Sequence, residues 1–240
     1  MNKDVELILS SGFLAFAHHS AFLASVEQLK LNVKGIMGTS SGALAGAMFA
    51  AGYKAEEISK ELNRLPPIKL MKFRPHPTKG IMKLNPVAER LSELLPKNIE
   101  DLDISFAAGV VNKKYKFVMI DKGPLVPAIC ASMAIPVVFQ PVEIEGFENG
   151  PFMDGGLKDR VGFRDWTDSP HSKEEHLKLV HIIDKSTKLS GSDQIDTNLE
   201  KNIKVIESPK SGEFFFKLKH FDSQFKESNK RIKRDLAELY

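Results

Sequence analysis

The segment VKGIMGTSSGALAGAMFAA, residues 33–51, contains the pattern that decides the fold of this chain. Its first five residues form a short, mostly apolar run typical of a buried strand, and residues 43–51 are rich in strong helix formers. Between them, Gly38-Thr39-Ser40-Ser41-Gly42 fits the pattern Gly-x-Ser-x-Gly. A strand, a tight turn and a helix in this order predict that the Ser40 hydroxyl is exposed at a strand end, beside the amino terminus of a helix.

The same alternation of strands and helices extends along the chain. Strands are predicted at residues 5–9, 33–37, 104–111, 115–121, 177–184 and 203–206, and helices at 16–29, 43–51, 55–62, 86–95 and 128–134. Residues 137–145 are predicted to be extended, and loops are predicted at 65–83, 150–156 and 186–198. Alternating strands and helices favour an α/β fold with a central, mostly parallel sheet flanked by helices. No internal repeat interrupts this pattern, so we expect a single domain over residues 1–240.

Composition excludes several classes of protein. Of the 240 residues, 42% are hydrophobic and 27% are charged, which is typical of globular proteins rather than disordered or fibrous ones. A single cysteine, Cys130, excludes a disulfide framework and a cysteine-rich zinc site. No apolar run approaches the ~20 residues of a membrane span, and the amino terminus lacks the layout of a signal peptide. We therefore expect an intracellular protein, either cytoplasmic or peripherally bound to a membrane.

The positive charge is concentrated near the carboxyl terminus. Residues 201–240 contain ten Lys or Arg and six Asp or Glu, although the whole chain carries a formal net charge of only +3. Apolar residues recur there at spacings of three and four, which predicts an amphipathic basic helix: Leu218, Phe221, Phe225, Ile232, Leu236 and Leu239. Two interpretations stay open, a terminal helix packed on the core and a peripheral contact with a membrane. No nucleic-acid recognition motif accompanies the charge, so nucleic acid is not expected as a partner.

A nucleophilic serine needs a base. Ser41 is a rival hydroxyl, but it lacks the central position that Ser40 has between the two glycines. None of the seven histidines has a loop setting typical of a triad base, and a carboxylate follows at Asp154-Gly155-Gly156. An ordinary Asp-Gly turn is the alternative interpretation of that block. A triad would require a histidine after the acid, at His171, His176 or His181.

Three blocks together resemble the patatin-like phospholipase family. The first is the Gly38–Gly42 turn with its alanine-rich helix, the second is ASMAIPVVFQP at residues 131–141, and the third is Asp154-Gly155-Gly156. The resemblance covers about residues 4–160. It implies a patatin-like fold and a lipid acyl hydrolase that uses a Ser40–Asp154 dyad, with a fatty-acyl lipid as substrate and with no cofactor or metal.

The loop after the first strand departs from the family pattern. Where the family has a glycine-rich loop that supplies oxyanion-hole amides, this chain has Ser11-Gly12-Phe13-Leu14-Ala15-Phe16. The resemblance therefore assigns the oxyanion hole to Gly12 and Phe13, but a bulky Phe13 is poorly suited to a conformation that only glycine adopts easily. The same resemblance gives supporting roles in the turn and loop to four glycines: Gly38, Gly42, Gly155 and Gly156.

Three functions follow as hypotheses. The first is hydrolysis of a fatty-acyl ester of a phospholipid or related lipid by Ser40 and Asp154. The second is a catalytically weak or silent relative that binds lipid or acts as a scaffold. The third is an esterase or thioesterase with a Ser-His-Asp triad. Two aromatic residues near the proposed site, Phe163 and Trp166, are predicted either to line an acyl pocket or to pack in the core. The sequence does not determine the oligomeric state.

Overall fold

The computed structural model describes residues 4–64, 72–76, 80–185, 191–193, 195, 202–211 and 220–237. The strands are β1 (Asp4–Leu9), β2 (Asn32–Thr39), β3 (Lys72–His76), β4 (Gly80–Lys83), β5 (Ser105–Val111), β6 (Phe117–Ile120), β7 (Met153–Asp154), β8 (Leu177–Ile183) and β9 (Ile203–Ser208). The α-helices are α1 (Phe16–Gln28), α2 (Ser41–Ala50), α3 (Ala55–Arg64), α4 (Asn85–Leu94), α5 (Leu125–Ser132), α6 (Phe163–Thr167) and α7 (Phe221–Ala237).

Seven of these strands form one sheet in the order β6-β5-β2-β1-β8-β9, with β7 also paired to β5. Strands β1, β2, β5, β8 and β9 are parallel, whereas β6 and β7 run antiparallel to β5. The predicted α/β fold with a mostly parallel sheet flanked by helices is confirmed. Because parallel strands end at the same edge, the segments after β1, β2 and β8 meet there.

The sheet is covered on both faces. Alternate residues of β1 point to opposite sides, so Leu7 and Leu9 lie in the larger core with the long helices, and Ile8 lies in a smaller core on the other face. Phe163 and Trp166 are buried in that smaller core, and the Trp166 indole nitrogen donates to the Glu6 carboxylate at 2.8 Å. Core packing, rather than an acyl pocket, is thus the interpretation that the structure confirms for these two aromatic residues.

Three predicted segments differ in the structure. Within the predicted loop 65–83, β3 and β4 pair as an antiparallel hairpin. Residues 137–145 are not a continuous strand but turns with isolated bridges at Phe139 and Val142. The predicted loop 150–156 contains the two-residue strand β7. In each case pairing with a second backbone segment, rather than local periodicity, decides the structure. Most of the predicted loop 186–198 lies outside the described residues.

Helix α7 is an integral part of the larger core. Its apolar residues Phe221, Ile232 and Leu236 are buried, and the helix packs chiefly against α1. Basic residues occupy the exposed side of the helix: Lys226, Lys230, Lys233 and Arg234. Leu218 and Leu239 lie outside the described residues. Among the described helices, none combines the length and hydropathy that a membrane crossing requires.

Candidate active site

The turn after β2 holds Ser40 in an unusual backbone conformation. Ser40 has φ 55° and ψ −117°, a region that L-residues rarely occupy, and it leads directly into α2. The Ser40 N–H donates to the Ser132 hydroxyl at 2.8 Å, and that hydroxyl donates to the Gly109 carbonyl at 2.7 Å. Ser132 therefore fastens the strained turn to β5.

Glycines let α2 approach the sheet closely at this turn. A Cβ on Gly38 would lie 2.6 Å from the Ala43 nitrogen, and a Cβ on Gly42 would overlap the Leu9 carbonyl. Because both neighbours are backbone atoms, neither glycine can be replaced without moving the helix. The partial positive charge at the amino end of α2 is thereby brought to Ser40.

Strand β7 brings Asp154 beside Ser40. Strand β2 ends where Thr39 pairs with Gly109, but β5 continues for two more residues. There Val110 pairs with Asp154 and Val111 pairs with Met153, so β7 fills the place in the sheet that β2 has left. Ser40, which follows β2, and Asp154, which ends β7, are consequently neighbours.

The carboxylate of Asp154 is buried and hydrogen-bonded. It is 5% exposed, accepts a hydrogen bond from the Gly156 N–H at 2.7 Å and lies beside the Ser40 side chain. Burial raises the pKa of Asp154 to about 6, although Ser40 and Gly156 oppose that rise. The carboxylate is thus charged above about pH 6 and more basic than an ordinary aspartate.

The two glycines after Asp154 are required by close approaches. A Cβ on Gly155 would lie 2.5 Å from the Gly109 carbonyl oxygen, and a Cβ on Gly156 would lie 2.5 Å from the Ser11 hydroxyl oxygen. The Asp154 block therefore passes between β5 and the loop that follows β1.

The loop after β1 is fixed by polar contacts. The Ser41 hydroxyl donates to the Gly12 carbonyl at 2.7 Å, and Gly12 and Phe13 lie in the wall of the pocket that contains Ser40. The residue with positive φ is Leu14, at 52°, and not Phe13. The expectation that Phe13 occupies a glycine-type conformation is thus wrong, because the left-handed step falls one residue later.

Arg160 is a positioning residue that sequence reasoning missed. Its guanidinium is buried, donates to the carbonyls of Ser11 (2.9 Å) and Ile183, and forms an ion pair with Asp193 at 2.6 Å. It thereby joins the loop after β1 to the end of β8. A single arginine between two loops carries no sequence signal that could have identified it.

An apolar pocket opens beside Ser40. Its walls include Leu44 and Met48 of α2, Val87 and Leu91 of α4, and Ile135 and Phe139 from the segment after α5. An ion pair between Glu61 of α3 and Arg90 of α4, 2.7 Å long, lies at its border. Beyond Met48 and Glu61 a second, more polar pocket contains Glu57, Lys60 and Arg64.

The candidate triad histidines have other partners. The imidazoles of His181 and His19 are 3.0 Å apart at Nδ1, His171 contacts Asp121 at 2.9 Å, and His176 contacts Glu6 at 2.9 Å. Burial lowers the pKa of His19 to about 3 and that of His181 well below the ordinary value. In the part of the chain that the structure describes, no recorded hydrogen bond joins a histidine to Ser40 or Asp154.

Over the same described ranges, no cluster of three or more His, Cys, Asp or Glu side chains is arranged to hold a metal ion.

The family model "Patatin-like phospholipase" matches residues 7–165. An uncharacterized NTE family protein of Mycobacterium tuberculosis is 30% identical over 159 residues, which are 65% of this chain and 43% of that protein. An uncharacterized NTE family protein of Mycobacterium bovis matches to the same extent. The matched region is thus less than half of the length of these relatives.

Two solved structures share the fold. VipD from Legionella pneumophila superimposes with a TM-score of 0.64 at 14% identity, over 98% of this chain and 67% of VipD. ExoU from Pseudomonas aeruginosa, solved in complex with SpcU, gives a TM-score of 0.56 at 12% identity, over 99% of this chain and 53% of ExoU. At such identities the likeness concerns the fold alone.

Proposed function

The chain belongs to the patatin-like phospholipase family, and from this premise we propose that it is a lipid acyl hydrolase with a Ser40–Asp154 dyad. One observation carries the proposal. The Ser40 side chain lies beside a buried carboxylate, whose pKa it lowers, and lines an apolar pocket. A nucleophile, a base and a binding site for an acyl chain are thus adjacent.

In the first half-reaction, Ser40 Oγ attacks the carbonyl carbon of the ester while Asp154 accepts the hydroxyl proton. A pKa of about 6 makes Asp154 a stronger base than an ordinary aspartate, yet leaves it charged at neutral pH. The tetrahedral intermediate collapses when the C–O bond to the alcohol breaks and Asp154 returns the proton to the leaving oxygen. The products are the free alcohol and an acyl ester on Ser40.

In the second half-reaction, water attacks the acyl ester and Asp154 accepts a proton from that water, then returns it to Ser40 Oγ as the bond between Oγ and the acyl carbon breaks and the fatty acid leaves. In both steps the oxyanion needs N–H donors. Gly12 and Phe13 line the same pocket as Ser40, and α2 begins at the next residue, Ser41. These positions support the assignment of the oxyanion hole to the Gly12–Phe13 amides.

The pocket favours a fatty-acyl substrate, because most of the side chains that line it are apolar. We propose an ester of a phospholipid or a related lipid. Its alcohol part would leave toward solvent, since the pocket walls accommodate an apolar chain.

The test is labelling with a fluorophosphonate, which reacts with activated serines, combined with turnover of a p-nitrophenyl ester. Ser40→Ala is expected to lose labelling and several orders of magnitude of turnover. Ser41→Ala is the matched control and should still be labelled, because its hydroxyl contacts Gly12 rather than Asp154. Turnover at the parent rate by Ser40→Ala would refute the dyad.

A silent lipid-binding relative is the second candidate. The feature that favours it is the loop after β1, where Ser11, Phe13 and Phe16 stand at glycine positions of the family pattern and Leu14 adopts a positive φ. Such a protein would bind a lipid but leave Ser40 unlabelled. The same fluorophosphonate experiment therefore separates the two candidates.

We also propose peripheral contact with anionic membranes through residues 201–240. The exposed face of α7 supports it, since Lys226, Lys230, Lys233 and Arg234 point away from the core. Such a contact would be electrostatic and sensitive to salt, because the apolar face of the helix is already buried against α1.

A further inference from the structure

Two apolar side chains are conspicuously exposed in the described part of the chain. Val137 is 77% exposed and Tyr115 is 51% exposed. Both residues also have positive φ, 69° at Val137 and 61° at Tyr115. A left-handed backbone is unfavourable for L-residues, and most of all for a β-branched one. In water, Val137 therefore combines backbone strain with an exposed apolar surface, and packing within the fold offsets neither.

Val137 lies at the tip of a turn that is built into the candidate site. The Phe139 N–H donates to the Ile135 carbonyl at 2.8 Å and closes the turn, and both residues line the apolar pocket. At the base of the turn, the Ala134 carbonyl accepts the N–H of Asp154 at 3.0 Å. Three residues of chain span at most about 11 Å, so the exposed tip stays close to the dyad.

Tyr115 lies in the turn between β5 and β6, at the same edge of the sheet. The Asn112 N–H donates to the Lys116 carbonyl at 2.9 Å, and the Tyr115 N–H donates to the Asn112 carbonyl at 2.8 Å. This turn directly follows the part of β5 that pairs with β7 and Asp154. The Lys158 ammonium lies 4.6 Å from the centre of the Tyr115 ring.

Charges of both signs surround the Tyr115 turn. Lys113, Lys114, Lys116 and Lys158 are exposed, and so are the acidic residues Glu143, Glu145 and Glu148 on the neighbouring segment. The Lys113 ammonium donates to the Glu148 carbonyl at 2.7 Å. Because the charges nearly balance, a partner at this edge would be held by the apolar tips more than by net charge.

We propose that Val137 and Tyr115 are the points at which the protein enters a lipid surface. The proposal rests on the proposed function for the choice of partner, since an apolar pocket for acyl chains opens beside the Val137 turn. Entry into the acyl region removes the exposed Val137 side chain from water. It also suits Tyr115, whose ring can lie at the interface while its hydroxyl and Lys158 face water. A lipid would then pass from the membrane into the apolar pocket that contains Ser40.

The experiment measures co-sedimentation with vesicles of phosphatidylcholine and phosphatidylglycerol in equal amounts, in a Ser40→Ala background so that no lipid is consumed. Val137→Asn and Tyr115→Asn each replace an apolar tip by a residue that tolerates positive φ. Each is expected to lower the partition coefficient by about threefold to tenfold, and the double variant by about the product. The loss should persist at high salt, and the melting temperature of Val137→Asn should not fall.

The matched control is Lys30→Asn. Lys30 is exposed and has a positive φ of 53°, but it lies between α1 and β2 at the opposite edge of the sheet. Its replacement should leave partitioning within about twofold of the parent. Equal partitioning of the parent and the double variant would overturn the proposal. A double variant with unchanged partitioning but a lower molecular mass in sedimentation equilibrium would assign the tips to a contact between two copies of the chain.

A second measurement separates this proposal from the proposed function. With Ser40 intact, Val137→Asn should lower the ratio of vesicle-lipid hydrolysis to monomeric-ester hydrolysis by the same factor as partitioning. A parent that hydrolyses neither substrate would refute the hydrolase proposal, whereas partitioning of the Ser40→Ala variants would still test the lipid contact.

Discussion

Replacing Asp154 by Asn is expected to stabilise the folded protein while it removes the proposed base. Asn keeps a carbonyl oxygen for the Gly156 N–H, and its amide can donate to the Ser40 hydroxyl, so the local hydrogen bonds survive. What disappears is the need to hold a charged carboxylate in a buried place. Turnover should fall by several orders of magnitude, because Asn cannot accept the proton of Ser40.

The size of the stabilisation follows from the pKa of Asp154. Its value is about 6 in the folded protein and 3.8 in an exposed aspartate, which corresponds to about 3 kcal/mol. The sign follows from linkage. A raised carboxyl pKa disfavours folding wherever the carboxylate is charged, so the free-energy cost is absent below about pH 3.8 and complete above about pH 6. Asp154→Asn should therefore gain about 3 kcal/mol at pH 8 and about half of that at pH 5.

The assay is urea unfolding of the parent and the variant at pH 8 and pH 5, with the free energies of unfolding compared pairwise. Other titrating groups, such as the buried histidines, contribute equally to both proteins and cancel. Asp168→Asn serves as the control, because Asp168 lies on the surface and its replacement removes a carboxylate without removing a buried charge. The reasoning would be refuted by a variant that is no more stable than the parent at pH 8, or by a gain that does not shrink toward pH 5.

The parent's kcat/KM gives a second test of the same pKa. As pH falls below about 6, Asp154 becomes protonated, and kcat/KM should drop by about tenfold for each further pH unit. Above that pH the profile should be flat until other groups titrate. Full activity retained at pH 4 would exclude Asp154 as a base with this pKa.

Four further outcomes are expected. Ser132→Ala loses the hydrogen bonds to the Ser40 N–H and the Gly109 carbonyl, so kcat should fall by about tenfold while KM changes little. Ser132→Thr keeps a hydroxyl and should recover part of the lost kcat. Phe13→Pro removes an oxyanion donor and should lower ester turnover by about 10²–10³-fold, but Phe13→Gly should retain activity. Met48→Ala should join the two pockets. In a series of p-nitrophenyl esters that runs from butyrate to palmitate, it should therefore shift the preference toward longer chains. Reversing Lys226 and Lys230 to Glu should weaken binding to anionic vesicles by about tenfold or more at low salt, and little at high salt.

Local sequence features predicted the elements that depend on near neighbours. The Gly38–Gly42 turn and the bounds of α1 and α2 follow from glycine spacing, helix propensity and apolar periodicity, all of which act over a few residues. The same rules did not find β3, β4 or β7, because a strand of two to five residues exists only through its partner. Asp154 was selected by resemblance to a family, since an Asp-Gly-Gly block alone is typical of many turns.

The sequence by itself therefore determined the class of fold and the turn that presents Ser40. The tertiary structure decided what surrounds that serine. Asp154 reaches it because β5 is longer than β2, and Ser132, 92 residues away, holds its N–H. The raised pKa of Asp154 is likewise a property of its burial. The physical reason is one of range. Propensity and periodicity act between neighbours in the chain, whereas burial, strand pairing and hydrogen bonds between distant segments arise only once the chain has folded.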